Sequence, residues 1–192
     1  ASFASGGEVD LSEEYSSRPE VGEYEFAYIE IKNSFDVKAS YGPIGDAART
    51  TYFTNGTITE AGTVTGASTT PTASDGYVTT EAPLTTFFGD SGEAVCSATA
   101  EESVTGGTIR AYLLDSSDKL IADNSSVTEC SGVTKLLGIM QLNDAVNITP
   151  STTSIKTTFK VTNNGTTVIY DNNSDGILFD SGPFSVTFET SE

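Results

Sequence analysis

The chain has no histidine and no tryptophan, and it has only two cysteines. A chain without histidine cannot supply the base of a serine-protease triad, so Gly89-Asp90-Ser91-Gly92 is not read as one. Basic residues are also scarce. Lys and Arg number 9 against 27 Asp and Glu, for a net charge of −18. Such a field argues against nucleic acid and against anionic membranes, and it favours a soluble surface or a binder of cations. No apolar run reaches the roughly 18 residues a membrane-spanning helix needs, so no span is expected.

What is present is typical of exposed sheet: abundant Ser and Thr, together with 10 Phe and 8 Tyr for a core. At 192 residues the chain fits one domain. The aromatic content argues for a packed fold over the disorder that strong acidity alone would allow. The chain begins at Ala1 without Met, as expected for a mature exported form whose signal peptide has been removed. Five N-x-S/T sequons, at Asn55, Asn124, Asn147, Asn164 and Asn172, agree with an extracellular location and are possible glycosylation sites. Cys96 and Cys130 are expected to be joined, the alternative being two buried thiols.

Strand patterns run through almost the whole chain. Residues 24–33, "YEFAYIEIKN", alternate aromatics with Ala27, Ile29 and Ile31, which predicts a central strand buried on both sides. "SFDVKASY" alternates through Phe35, Val37, Ala39 and Tyr41 as one strand. "TTYFTNGTIT" predicts a hairpin turning at Asn55-Gly56. Residues 155–171 predict a second hairpin, turning at Asn163-Asn164-Gly165. "TIRAYLLD" (108–115) and "PFSVTFE" (183–189) are further strands, the latter expected deep in a sheet. "KLLGIMQL" (135–142) is a short, largely apolar run, so strand and helix remain open for it. Many short strands between Gly and Asn turns predict an all-β fold, a single antiparallel β-sandwich or jelly-roll domain over residues 23–192.

Two segments break the pattern. Residues 62–82 are rich in Thr, Ser and Gly and are expected to form an exposed loop or edge excursion. Residues 1–22 form an acidic arm with Glu8, Asp10, Glu13, Glu14 and Glu20. Its apolar points are Phe3, Val9 and Leu11, and the last two have strand spacing. Such an arm suits the role of a strand lent to a neighbour, and a frayed terminus is the alternative.

Two motifs invite chemistry. Asp90-Ser91-Gly92 and Asp180-Ser181-Gly182 carry the tripeptide of aspartic proteases, whose two carboxylates share a proton. Only twelve residues follow Asp180, too few for the strand and flap of such a lobe. Asp-Ser-Gly is also an ordinary turn. Glu13-Glu14 and Glu101-Glu102 are adjacent, and neighbours on a strand face opposite ways, so they make poor dyads. The chain is therefore not expected to be an enzyme. The second motif, "DNNSDG" (171–176), sets Asp171, Asn173 and Asp175 at alternate positions before Gly176, like the opening of an EF-hand loop. The twelfth position is Gly182 where that motif needs a bidentate Glu, and no helices flank it. The expectation is a partial Ca²⁺ site, completed by Asp180 or by an acid of a neighbouring subunit; the alternative is a polar loop between strands.

"FAYIEIKNSFDVKASYG" near the start and "GILFDSGPFSVTF" at the end together resemble the cannula proteins, subunits of extracellular tubes made by Pyrodictium-type archaea. The two blocks cover about 30 residues at opposite ends, and the middle of the chain departs from the pattern. The resemblance implies a jelly-roll-like subunit, joined to the next copy by an N-terminal donor strand in a calcium-dependent homopolymer. The Asp180-Ser181-Gly182-Pro183 step, the Thr/Ser-rich insert and the two cysteines are departures. Two other classes compete: a subunit of another donor-strand thread or TasA-like fibre, and a monomeric β-sandwich that binds carbohydrate, which the lack of tryptophan disfavours.

Overall fold

A computed structural model describes residues 19–44, 50–58, 64–67, 79–87, 95–160, 166–171, 176–182 and 185–192. Within them the chain is all-β and every strand pairing is antiparallel. The strands are β1 (Gly22–Lys32), β2 (Phe35–Val37), β3 (Ser40–Ile44), β4 (Thr50–Ile58), β5 (Val64–Ala67), β6 (Thr80–Ala82), β7 (Thr99–Val104), β8 (Gly107–Leu114), β9 (Lys135–Ile148), β10 (Ser154–Lys160), β11 (Thr166–Asp171), β12 (Gly176–Ser181) and β13 (Ser185–Ser191). They form four sheets, in the orders β1-β9-β8-β7, β11-β12-β5-β4-β3, β10-β13 and β2-β6. No helix among the described residues is long and apolar enough to cross a membrane.

Tertiary pairing corrects several local expectations. The apolar run 135–142 belongs to β9, a 14-residue strand between β1 and β8. Asn55-Gly56 is not a hairpin turn. It lies inside β4, where the register against β5 jumps between Thr54 and Ile58. Gly56 there takes φ 90°, and Asn55 Oδ1 accepts the Thr57 N–H at 2.9 Å, so the dipeptide bends a strand instead of reversing it. Residues 155–171 are not a hairpin either, because β10 pairs with β13 while β11 pairs with β12. The predicted turn at 163–165 lies outside the described residues. "SFDVKASY" divides into β2 and β3, which join different sheets. The 62–82 segment contributes two strands, β5 and β6, and both Thr80 and Ala82 are buried. The final strand β13 lies in a two-stranded ladder, although Val186 is buried as expected.

The core forms in two clusters. In one, Val37 and Ala82 of the β2-β6 pair meet Ile177 and Phe179 of β12. In the other, Leu84, Cys96, Ala98, Leu113 and Cys130 pack together. Phe35 touches both clusters. The β7-β8 turn is fixed by Gly106, at φ 98°. A Cβ there would sit 2.8 Å from the Val186 carbonyl oxygen, so glycine is needed for both conformation and space.

Candidate assembly surface

The strand expected to lie buried at the centre of a sheet is instead an edge. β1 pairs with β9 on one side, and no strand among the described residues lies on the other. Its two faces differ. Ala27, Ile29 and Ile31 are half-buried, and Gly138 of β9 lies between Ile29 and Ile109 of β8, each of which would stand 3.4 Å from a Cβ added there. The other face carries Tyr24, Phe26 and Tyr28, which are 36%, 56% and 81% exposed. The periodicity was read correctly; the number of neighbours was not, because pattern reports which residues are apolar and not how many strands flank them.

Several contacts hold β1 in place. Opposite Glu25 the register breaks, and β9 carries extra residues between Gln141 and Val146. Within that bulge the Asn143 N–H donates to the Gly106 carbonyl at 2.9 Å, hooking β9 to the β7-β8 turn. At the other end of β1, Lys135 bridges Glu30 (2.9 Å) and Asp118, and both bonds raise its pKa. Arg110 Nε pairs with Glu101 at 2.6 Å across β8 and β7.

Asn33, just past β1, is the largest omission from the sequence reading. It is buried, its Nδ2 donates to the Leu84 carbonyl at 2.8 Å, and its Oδ1 accepts the Leu84 N–H at 2.8 Å. One amide side chain thus imitates a paired strand residue. The fully buried Thr86 works similarly: its hydroxyl donates to the Val95 carbonyl and accepts the Ser97 N–H. The only sequence signal was a polar residue at the end of an apolar strand, which is equally common at exposed positions. Cys96 and Cys130 are joined, as expected. Their backbone N–H groups donate to Val127 and Thr85, so the disulfide sits in a bonded frame.

Of the expected calcium ligands, Asp171 and Asp180 are described, and they lie apart along the β11-β12 ladder. Asp171 is the last residue of β11 and pairs with Gly176, so the motif is the connection between β11 and β12. Asn173 and Asp175 lie outside the described residues. Asp180 pairs with Thr167, four positions along β12 from Gly176, or roughly 13 Å. Oxygens around one Ca²⁺ lie about 2.3–2.6 Å from it, so at that separation Asp171 and Asp180 do not share one ion. Burial instead pushes the Asp180 carboxyl up to about 7, against a lowering bond from the Ser181 N–H at 2.7 Å. Asp180-Ser181-Gly182 therefore serves as a strand end, with Gly182 at φ 82°. Asp90-Ser91-Gly92 lies outside the described residues. No group of three or more Asp, Glu or Cys side chains able to hold a metal occurs among the described residues.

No family model, curated protein or solved structure matches this chain. The donor-strand residues Phe3, Val9 and Leu11 lie outside the described residues, as do the sequons Asn164 and Asn172. Asn55, Asn124 and Asn147 are all exposed. Asn124 Oδ1 accepts the Ser126 N–H at 2.9 Å, within its own sequon.

Proposed function

We propose that this chain is a structural subunit of an extracellular filament or tube, polymerising by lending its N-terminal strand to the next copy. The observation that carries the reading is the open sheet edge: among the described residues β1 and β7 each have a neighbour on one side alone. An unpaired edge is a template for strand addition, which supplies main-chain hydrogen bonds as well as side-chain burial. The arm provides a strand of the right kind, with Val9 and Leu11 on one face and Glu8 and Asp10 on the other. A head-to-tail joint does not close on itself, so it generates a fibre or tube. The disulfide is in keeping with an oxidising, extracellular setting.

Calcium enters as an interface ion. Joining chains of net charge −18 brings like charges together, and cations at the joint favour the assembled state through linkage. Oxygens from the 171–176 connection and from the acidic arm are the proposed ligands, and Ca²⁺ would supply neutralisation. The jelly-roll topology and the kinship with the cannula proteins belong to the same proposal.

The test is deletion of residues 1–12 followed by addition of calcium. Folded monomers that fail to polymerise support the donor strand, whereas fibres that form as readily as from the full chain refute it. Assembly of the full chain that is indifferent to chelation removes calcium and points to the thread-type fibres.

A further inference from the structure

The two edges of the four-stranded sheet differ in a way the donor-strand reading does not use. β1 is eleven residues long, contains no proline, and presents Tyr24, Phe26 and Tyr28 to solvent. Edge strands of soluble proteins are normally short, interrupted or charged on their exposed face. We infer that β1 binds β1 of a second copy of this chain, antiparallel about Ala27, so that the sheet continues across a two-fold axis.

The charge pattern selects both the occupant and the register. A two-fold axis perpendicular to the sheet keeps each face with its own kind, so paired residues must share a face. The register that overlaps all of β1 pairs Ala27 with Ala27. It sets Phe26 against Tyr28, Glu25 against Ile29, Tyr24 against Glu30, and Glu23 against Ile31. No acid meets an acid, even though the strand carries three. β7, at the opposite edge, fails the same requirement. Its two central registers set Glu101 on Glu101 or Glu102 on Glu102, and like charges directly opposite are destabilising. In a chain of net charge −18, an edge free of acid–acid pairs is a specific feature. It also gives the aromatic row cross-strand partners, since Phe26 of each copy stands opposite Tyr28 of the other.

This contact is separate from the donor-strand joint and leaves β7 open to the arm. An isologous contact closes after two copies, and a head-to-tail joint does not. Together they would give laterally paired filaments or a wall.

The described residues contain no free cysteine, so Ala27→Cys introduces a single thiol at the dyad. Paired residues in antiparallel strands have Cα atoms about 4.5–5.5 Å apart, within disulfide reach. Mild oxidation should therefore give a covalent dimer on non-reducing gels. A thiol that stays free in associated protein overturns the register. If Ala27→Cys instead cross-links only when Val9→Cys is also present, the arm occupies β1 and the inference fails. Sedimentation provides the second readout. Phe26→Glu with Tyr28→Glu sets acid against acid across the dyad and should weaken the dimer about tenfold or more. Phe26→Glu with Tyr28→Lys should restore it, and failure to restore argues against the pairing. Deleting residues 1–12 separates the two ideas: polymers vanish and the cross-linked dimer persists if both hold. Loss of the dimer as well overturns this inference, and polymers that persist overturn only the donor strand.

Discussion

The disulfide cluster and the outer face of β1 both carry rows of hydrophobic side chains and have opposite fates. Around Cys96 and Cys130, Leu84, Ala98 and Leu113 are closed off from water, and Asn33 and Thr86 satisfy backbone groups that would otherwise be stranded. On β1, Phe26 and Tyr28 are comparably apolar and stand in solvent. The difference is the number of neighbouring segments. Near the disulfide, the stretches around residues 84, 96, 113 and 130 converge, whereas among the described residues β1 has β9 alone. Apolar surface is worth burying only where something arrives to cover it, at roughly 25 cal/mol per Å². Among the described residues, one region is finished and the other is not.

The comparison is broken most strongly by removing the cross-link. Cys96→Ala with Cys130→Ala should lower stability by about 4 kcal/mol, since the bridge spans a sequence separation of 34. Denaturant unfolding measures the loss, and an unchanged midpoint would mean that the hydrogen-bonded frame suffices.

A half-buried acid on β12 offers a second test. The Asp180 carboxyl lies at about 7 when folded, against 3.8 ordinarily. Between those values the unfolded chain releases a proton that the folded chain retains, so stability falls as pH rises through this window. The cost is absent below pH 4 and complete above pH 7. Asp180→Asn should flatten that slope and add on the order of 3 kcal/mol at pH 8. Thermal melts from pH 4 to pH 8 decide it, and parallel curves for variant and parent would count against burial as the cause.

Asn33→Ala should cost about 2 kcal/mol, because the buried N–H and carbonyl of Leu84 lose their partner. Tyr28→Ser should change monomer stability by no more than about 0.5 kcal/mol, as for exposed sites generally. A much larger loss for the dilute monomer would show that this face is covered within one chain, and would remove the contrast with the disulfide region.

Much of this molecule was legible in its sequence because strand signals are local. Alternation at residues 108–115 and 24–33, together with the Gly and Asn punctuation, specified an all-β chain, and two cysteines, with one possible pairing, foretold the bridge. Partnership was not legible. "SFDVKASY" and residues 155–171 each looked like one local unit, but their halves pair with strands far away in the chain. Asn55-Gly56 has the chemistry of a turn and of a bulge alike, and only the register against β5 distinguishes them.

The candidate surface divides along the same line. Sequence alone determined the aromatic row, the acid spacing of β1 and the alternate ligands of "DNNSDG", because side-chain identity and a period of two need no tertiary information. Only the tertiary structure decided that β1 is an edge, that Asp180 stands four residues from Gly176 along β12, and that Asn33 reaches Leu84. Those facts depend on which distant segments pair. That choice is set by the joint burial of many side chains, and no window of sequence contains both partners.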